Sequence, residues 1–183
     1  MKPILEYLST KVIQTKIKAT NETIRKIVKG ELDRLGHDAD LNYIDVSEVT
    51  DMKELFSCDH YGLGSEYKDL NPNISEWDVS NVTSMYSMFF KCENFTQDIS
   101  KWVVSKVKDM ESMFCVCKKF NTNISQWDVS NVHDMRRMFY DCENFNQDLS
   151  QWDVRKLEYN NFMFIGCPIK EGYKPHFVNY STI

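Results

Sequence analysis

The sequence predicts an α/β solenoid, a stack of coils each made of a short strand and a short helix, closed at its N-terminal end by a capping helix. Three observations predict it. One sentence of sequence is written four times between residues 71 and 169: NPNISEWDVSNVTSMYSMFFKCENF, TQDISKWVVSKVKDMESMFCVCKKF, NTNISQWDVSNVHDMRRMFYDCENF and NQDLSQWDVRKLEYNNFMFIGCPI, each starting 25 residues after the last. Its apolar letters fall in columns: Trp77, Trp102, Trp127 and Trp152; Phe89, Phe114, Phe139 and Phe164; Cys92, Cys117, Cys142 and Cys167. A fixed period of this length with such columns is the mark of repeat architecture. Finally, an amphipathic helical segment stands just before the array, where a first coil needs a cap.

In chain order, residues 1–19 mix ILEYL with the loosely alternating KVIQTKIKA, which reads as a short strand. From Thr20 the pattern turns helical. Thr20 or Asn21 can cap the helix, Ile24, Val28, Leu32 and Leu35 give one apolar face, and Gly36 supplies a stop. Residues 41–58, LNYIDVSEVTDMKELFSC, are a first copy of the sentence, with Ile44 in the Trp column and Phe56 in the Phe column, set 33 residues before the next. The extra residues fall in 59–70, whose Gly62 and Gly64 predict an irregular loop.

Within a regular coil Val107, Met110, Met113, Phe114 and Cys117 follow helical spacing and predict a helix of two or three turns over 105–117. Residues 97–104 return in extended form and pair as parallel rungs. Ser80, Ser105 and Ser130, or Asp109 and Asp134, are placed to cap those helices, as is Asp51 with Glu54 three residues on. After Cys167 the tail is punctuated by Pro168, Gly172 and Pro175, and Tyr173, Phe177, Val178 and Tyr180 can close the last coil. The predicted division is 1–40 for the N-terminal segment and capping helix, 41–169 for a five-coil array with its insertion at 59–70, and 170–183 for the C-terminal cap.

WDVSNV at 77–82 and 127–132, NQDLSQWDV at 146–154 and the opening ADLNYIDVSEVTDM at 39–52 closely resemble the bacterial surface-protein repeat of about 25 residues, an offshoot of the BspA-like leucine-rich repeats, over residues 38–170. The resemblance implies a right-handed, leucine-rich-repeat-like stack and a bacterial protein that binds other proteins; many members are exported or anchored at the surface. This N-terminus, MKPILEYLSTKV, does not read as a secretory signal, there is no lipobox, and no run of about 18 apolar residues crosses a bilayer. The chain as given therefore reads as cytoplasmic, with no membrane insertion.

With 22 Lys and Arg against 27 Asp and Glu, the charge offers nothing to a polyanion, so no nucleic-acid partner is expected. Four of the six cysteines recur in one column and read as reduced, packed thiols in a reducing compartment. Cys115 reads as a semi-exposed member of a variable column. Asp78, Asp128 and Asp153 share a column that Val103 interrupts, and Asp98 and Asp148 share another with Asn73 and Asn123; turn capping explains them better than calcium, which wants six to eight oxygens. His37, His60, His133 and His176 stand in unrelated contexts and no phosphate loop or HExxH motif is present. No cofactor, metal or enzyme activity is expected.

The informative residues are then those that vary while the interior repeats. Tyr86, Glu111, Arg136 and Asn161 form one outer column, Ser87, Ser112, Arg137 and Phe162 a second, and Phe90, Cys115, Tyr140 and Ile165 a third. Aromatic and arginine side chains are favoured interface anchors. Tyr86, Phe90, Arg136, Arg137 and Tyr140, with Tyr61 and Tyr67 of the insertion, are the candidate partner-binding residues. The expected function is a non-catalytic protein-interaction scaffold, a monomer or weak oligomer. A structural or adhesive surface element is the alternative, and an intracellular antagonist of a nucleic-acid-binding protein stands behind it.

Overall fold

A computed structural model describes residues 16–177. The first strand, β1 (Ile17–Lys18), runs parallel to β2 (Ile44–Asp45), Ile17 opposite Ile44. It is the described part of the strand expected in KVIQTKIKA, whose earlier residues lie outside that range. Between them lies α1 (Ile24–Leu35), with Ile24, Val28 and Leu32 buried and Leu35 left exposed. At Gly36 the φ of 95° is one that a side chain would resist, and its N–H closes on Leu32 O. The expected side-chain cap is not made by Thr20 or Asn21. The Asn21 amide instead reaches the first repeat, donating to Thr50 Oγ1 at 2.9 Å and accepting the Thr50 N–H at 2.9 Å.

The predicted α/β solenoid is not what the chain forms. Among the described residues α1 is the one α-helix and strand is confined to the two-residue pair β1 and β2, so none of the four regular repeats contains an α-helix or a strand. Where residues 105–117 were expected to be helical, the N–H groups of Met110, Ser112, Phe114 and Val116 donate to Asp134, Arg136, Met138 and Tyr140 of the following repeat. A helix needs those N–H groups for carbonyls four residues back. The alternate N–H groups, of Met113, Cys115 and Cys117, close tight turns on Met110, Ser112 and Phe114. Ser112 and Val116 take left-handed φ values of 55° and 61°, which a right-handed helix cannot contain. Reverse turns in series bring residues three and four apart to one side, as a helix does, so the apolar spacing is the same.

The parallel rungs expected over 97–104 are not formed, and the parallel bridges fall instead in the stretch expected to be helical: Asp51 with Ser84, Ser84 with Asp109, Asp109 with Asp134 and Asp134 with Tyr159. With no repeat helix, the Ser and Asp residues expected to cap one have other work. Asp78 and Asp128 each accept the N–H of the serine two residues on, at 3.1 Å, while Asp109 and Asp134 accept those of Glu111 and Arg136. Asp51 accepts the Lys53 N–H at 2.9 Å, and Glu54 stands at a φ of 54°. These local bonds satisfy backbone donors where the chain reverses.

The interior is shared between repeats. Each tryptophan is buried and its indole N–H donates to the preceding repeat: Trp77 to Leu41 O, Trp102 to Ile74 O, Trp127 to Ile99 O and Trp152 to Ile124 O, at 3.0 to 3.3 Å. Cys92, Cys117 and Cys142 donate their thiols to the carbonyls of Phe56, Phe89 and Phe114. Phe56, Phe89, Phe114, Phe139 and Phe164 stack nearly parallel with centroids 5.4 to 5.8 Å apart. Phe95, Phe120 and Phe145 form a second such column beside the first.

The insertion, expected to be irregular, is anchored by a 3-10 turn at Ser65–Tyr67 and by buried Leu63, Tyr67 and Leu70. At the other end a second 3-10 turn, Glu171–Tyr173, brings Tyr173 and Phe177 against the core; Val178 and Tyr180 lie outside the described residues. Among the described residues no helix is long and apolar enough to cross a membrane.

Candidate functional site

The turn-built repeats set their outer columns side by side. In each, a left-handed residue holds the floor, at Glu54, Ser87, Ser112, Arg137 and Phe162, and a second recurs at Lys91, Val116 and Asp141. Between them the unrepeated side chains turn outward over a ladder of backbone bonds. The result is a groove of about 730 Å³.

Five of the seven candidate binding residues meet there: Tyr61, Tyr86, Phe90, Arg137 and Tyr140 all line the groove. Tyr61 comes from the insertion, 66% exposed, its ring 3.8 Å from that of His60. Tyr86 and Phe90 are half-buried, and each carries a lysine ammonium over its ring, Lys53 at 5.0 Å and Lys91 at 5.1 Å. The Arg137 guanidinium lies 5.6 Å from the Phe162 ring centroid. Cations over ring faces help to hold these aromatics in place.

The other two stand elsewhere. Tyr67 is buried: its hydroxyl donates to Asp33 and accepts from Lys29 at 2.6 Å, so it fastens the insertion to α1 and offers no contact surface. Arg136 lies outside the groove lining. It bonds Asp134 and, at 2.7 Å, Glu111, with its guanidinium 5.2 Å from the Tyr159 ring.

Phe162, Ile165, Cys115, Val116, Glu54, Asp59 and Glu111 also line the groove and were not singled out from the sequence. Phe162, Ile165, Cys115 and Glu111 occupy the same outer columns as residues that were, so column membership alone would have found them. Cys115, expected to be semi-exposed, is only 5% exposed, and burial above all pushes its thiol up to about 11. It therefore stays protonated at neutral pH and is a poor nucleophile. Burial likewise pushes the Glu111 carboxyl up, Arg136 pulling against it.

The acidic columns act as turn acceptors, and the column thiols point at carbonyls of their neighbours. Among the described residues no three His, Cys, Asp or Glu side chains converge as a metal site. What the site offers is aromatic side chains, the Arg137 guanidinium and a concave floor.

A tandem array of turn-built repeats, interlocked through Trp, Phe and Cys columns and carrying one aromatic groove, defines the class of protein. The chain belongs to the family described as Mycoplasma protein of unknown function, DUF285, whose model matches residues 30–121 and again 60–172. Two overlapping placements are what a repeated sequence produces. No match was found among curated proteins or among solved structures.

Proposed function

We propose that the chain is a non-catalytic protein-interaction module that seats a segment of a protein partner in the outer groove. The observation that carries this reading is the gathering of Tyr61, Tyr86, Phe90, Arg137 and Tyr140 in one concavity, although they come from three different stretches of chain. Tyrosine and arginine in desolvated pockets dominate interface energies. The resemblance of the repeated sentence to the bacterial surface-protein repeat of the BspA-like group also supports protein binding. The column cysteines serve packing and thiol hydrogen bonds, Cys58 and Cys92 with sulfurs 3.4 Å apart, and such a role fits a reducing compartment.

The test is affinity capture from native lysate, followed by titration of the captured protein, purified, against variants. Tyr86→Ala and Tyr140→Ala should each weaken saturable binding by about tenfold or more, the effect of about 1.4 kcal/mol. Val103→Ala, exposed but outside the groove, should leave it unchanged. Equal binding by all variants, or no saturable partner, would refute the groove as the site.

A further inference from the structure

The two ends of the array are finished differently. At each inner junction the N–H groups of alternate residues meet carbonyls of the next repeat; at the last, Met135, Arg137, Phe139 and Asp141 donate to Tyr159, Asn161, Met163 and Ile165. The corresponding donors of the final repeat are Asn160, Phe162, Phe164 and Gly166. Among the described residues none of these four N–H groups meets an acceptor. Beside them Tyr159, Phe162 and Ile165 are 49%, 57% and 51% exposed, three of the six large apolar side chains left open to solvent among the described residues.

The rest of the final repeat is covered. The Leu149 N–H donates to Tyr173 O, Ile169 is buried, and Tyr173 and Phe177 pack on the core. At the first end α1 lies against the edge, and two of the four carbonyls of its row (Asp51, Lys53, Leu55 and Ser57), those of Lys53 and Ser57, are held. Arg25 donates from its two terminal nitrogens to Glu54 O and Lys53 O, both at 2.9 Å, and the Leu63 N–H takes Ser57 O at 2.7 Å. The guanidinium of α1 thus stands in for one of the donors that a preceding repeat would supply, at Lys53 O, and its other nitrogen braces Glu54 O.

This asymmetry selects the occupant. A second copy of the chain cannot extend the array head to tail through the full junction, because α1 lies against its first edge and its own Arg25 and Leu63 hold the Lys53 and Ser57 carbonyls. Two C-terminal edges face each other with donors opposite donors. We propose that residues 159–166 are a docking edge for an extended segment of a different protein, running parallel to the edge. That segment presents carbonyl oxygens at alternate residues to Asn160, Phe162, Phe164 and Gly166, and apolar side chains to Tyr159, Phe162 and Ile165. It continues the junction already made four times within the molecule, by backbone pairing of the kind an open sheet edge provides. The edge stands on backbone donors and is independent of the groove reading, although Phe162 and Ile165 border both.

The probe is a synthetic peptide of residues 130–141, SNVHDMRRMFYD, whose carbonyls at Asp134, Arg136, Met138 and Tyr140 already serve the preceding repeat in this way. Amide hydrogen exchange is followed on the full chain. In the free chain the amides of 160, 162, 164 and 166 should exchange about a hundredfold or more faster than those of 135, 137, 139 and 141. Peptide at about 1 mM, a weak-complex concentration, should slow the first set alone and saturably. Ile165→Asp and Tyr159→Asp, both at exposed positions, should each weaken that effect about tenfold, while continued protection of 135–141 reports an intact fold. Protection of 160–166 in the free chain, or no slowing by the peptide, would overturn the proposal, as would variants that bind the peptide unchanged.

Discussion

At the scale of single residues, one device recurs around the array: an Asp or Asn side chain accepts the N–H of the residue two positions on. Hydroxyl and N–H of the following serine hold Asp45, Asp78, Asp98 and Asp128 below the usual carboxylate range, and at Asp148 the Ser150 N–H leads. The Arg155 guanidinium brings Asp153 down to about 2. Their sign is shared: a folded pKa below the unfolded value of about 3.9 adds stability that is full above that value and is lost as pH falls through the folded one. Asp109 and Glu111 work oppositely, since burial raises them and protonation relieves their cost. With Glu22, Glu31 and Asp33 also held down by hydrogen bonds, the lowered carboxyls outnumber the two raised ones, so the thermal midpoint should fall between about pH 4 and about pH 2. Asn73 and Asn123 make the same turn without a charge, accepting the N–H groups of Ser75 and Ser125. Asp98→Asn with Asp148→Asn should therefore keep neutral-pH stability and flatten the acid limb in thermal melts across that range. An unchanged limb would assign the acid sensitivity to other groups.

At the scale of elements, what was legible depended on whether a pattern has one structural reading or two. The helix over Ile24–Leu35 was legible because Ile24, Val28, Leu32 and Gly36 agree on both face and stop. The repeat period, the interior columns and the eight-residue insertion were legible because columns need no knowledge of backbone conformation. The helix expected over 105–117 failed because its spacing fits a series of reverse turns equally well, and the deciding fact is nonlocal: alternate N–H groups are claimed by the next repeat. A local signal did exist. The left-handed positions are Lys91, Val116, Asp141 and Gly166 in one column, and the Asp and Gly there are residues that tolerate such a φ. Tyr67 misled because its aromatic ring sits in a polar-looking insertion, whereas its hydroxyl is bound by α1. Val116 is the outlier of its column, a β-branched residue at a φ of 61°. Replacing it as Val116→Gly, the residue that the last repeat uses, should raise unfolding free energy by about 1 kcal/mol, the left-handed penalty less part of the glycine entropy. Urea denaturation at constant m-value checks this. A loss of stability would mean that the valine methyls contribute more packing than the backbone conformation costs.

At the scale of the whole molecule, stability is organised by adjacency. No described strand or helix ties distant repeats together; each passes backbone bonds, an indole N–H, a thiol and an aromatic stack to its neighbour. A side chain's worth therefore depends on whether repeats stand on both sides of it. Phe114 is fully buried and stacks on Phe89 at 5.6 Å and Phe139 at 5.8 Å, with Phe120 at 4.0 Å beside it. Phe164 occupies the same column but, among the described residues, stacks on Phe139 alone and is half-buried. Phe114→Ala should cost about 3–5 kcal/mol, the range for truncating a buried phenylalanine, and Phe164→Ala about half of that. In guanidinium titrations followed by tryptophan fluorescence and by far-UV circular dichroism, the central variant should lower both midpoints together, since its cavity breaks two junctions that the other repeats depend on. The terminal variant should shift them little and leave the amides of 110–116 protected from exchange. Equal losses from the two truncations would show that the array unfolds with no regard to position, and that its ends are as tightly held as its middle.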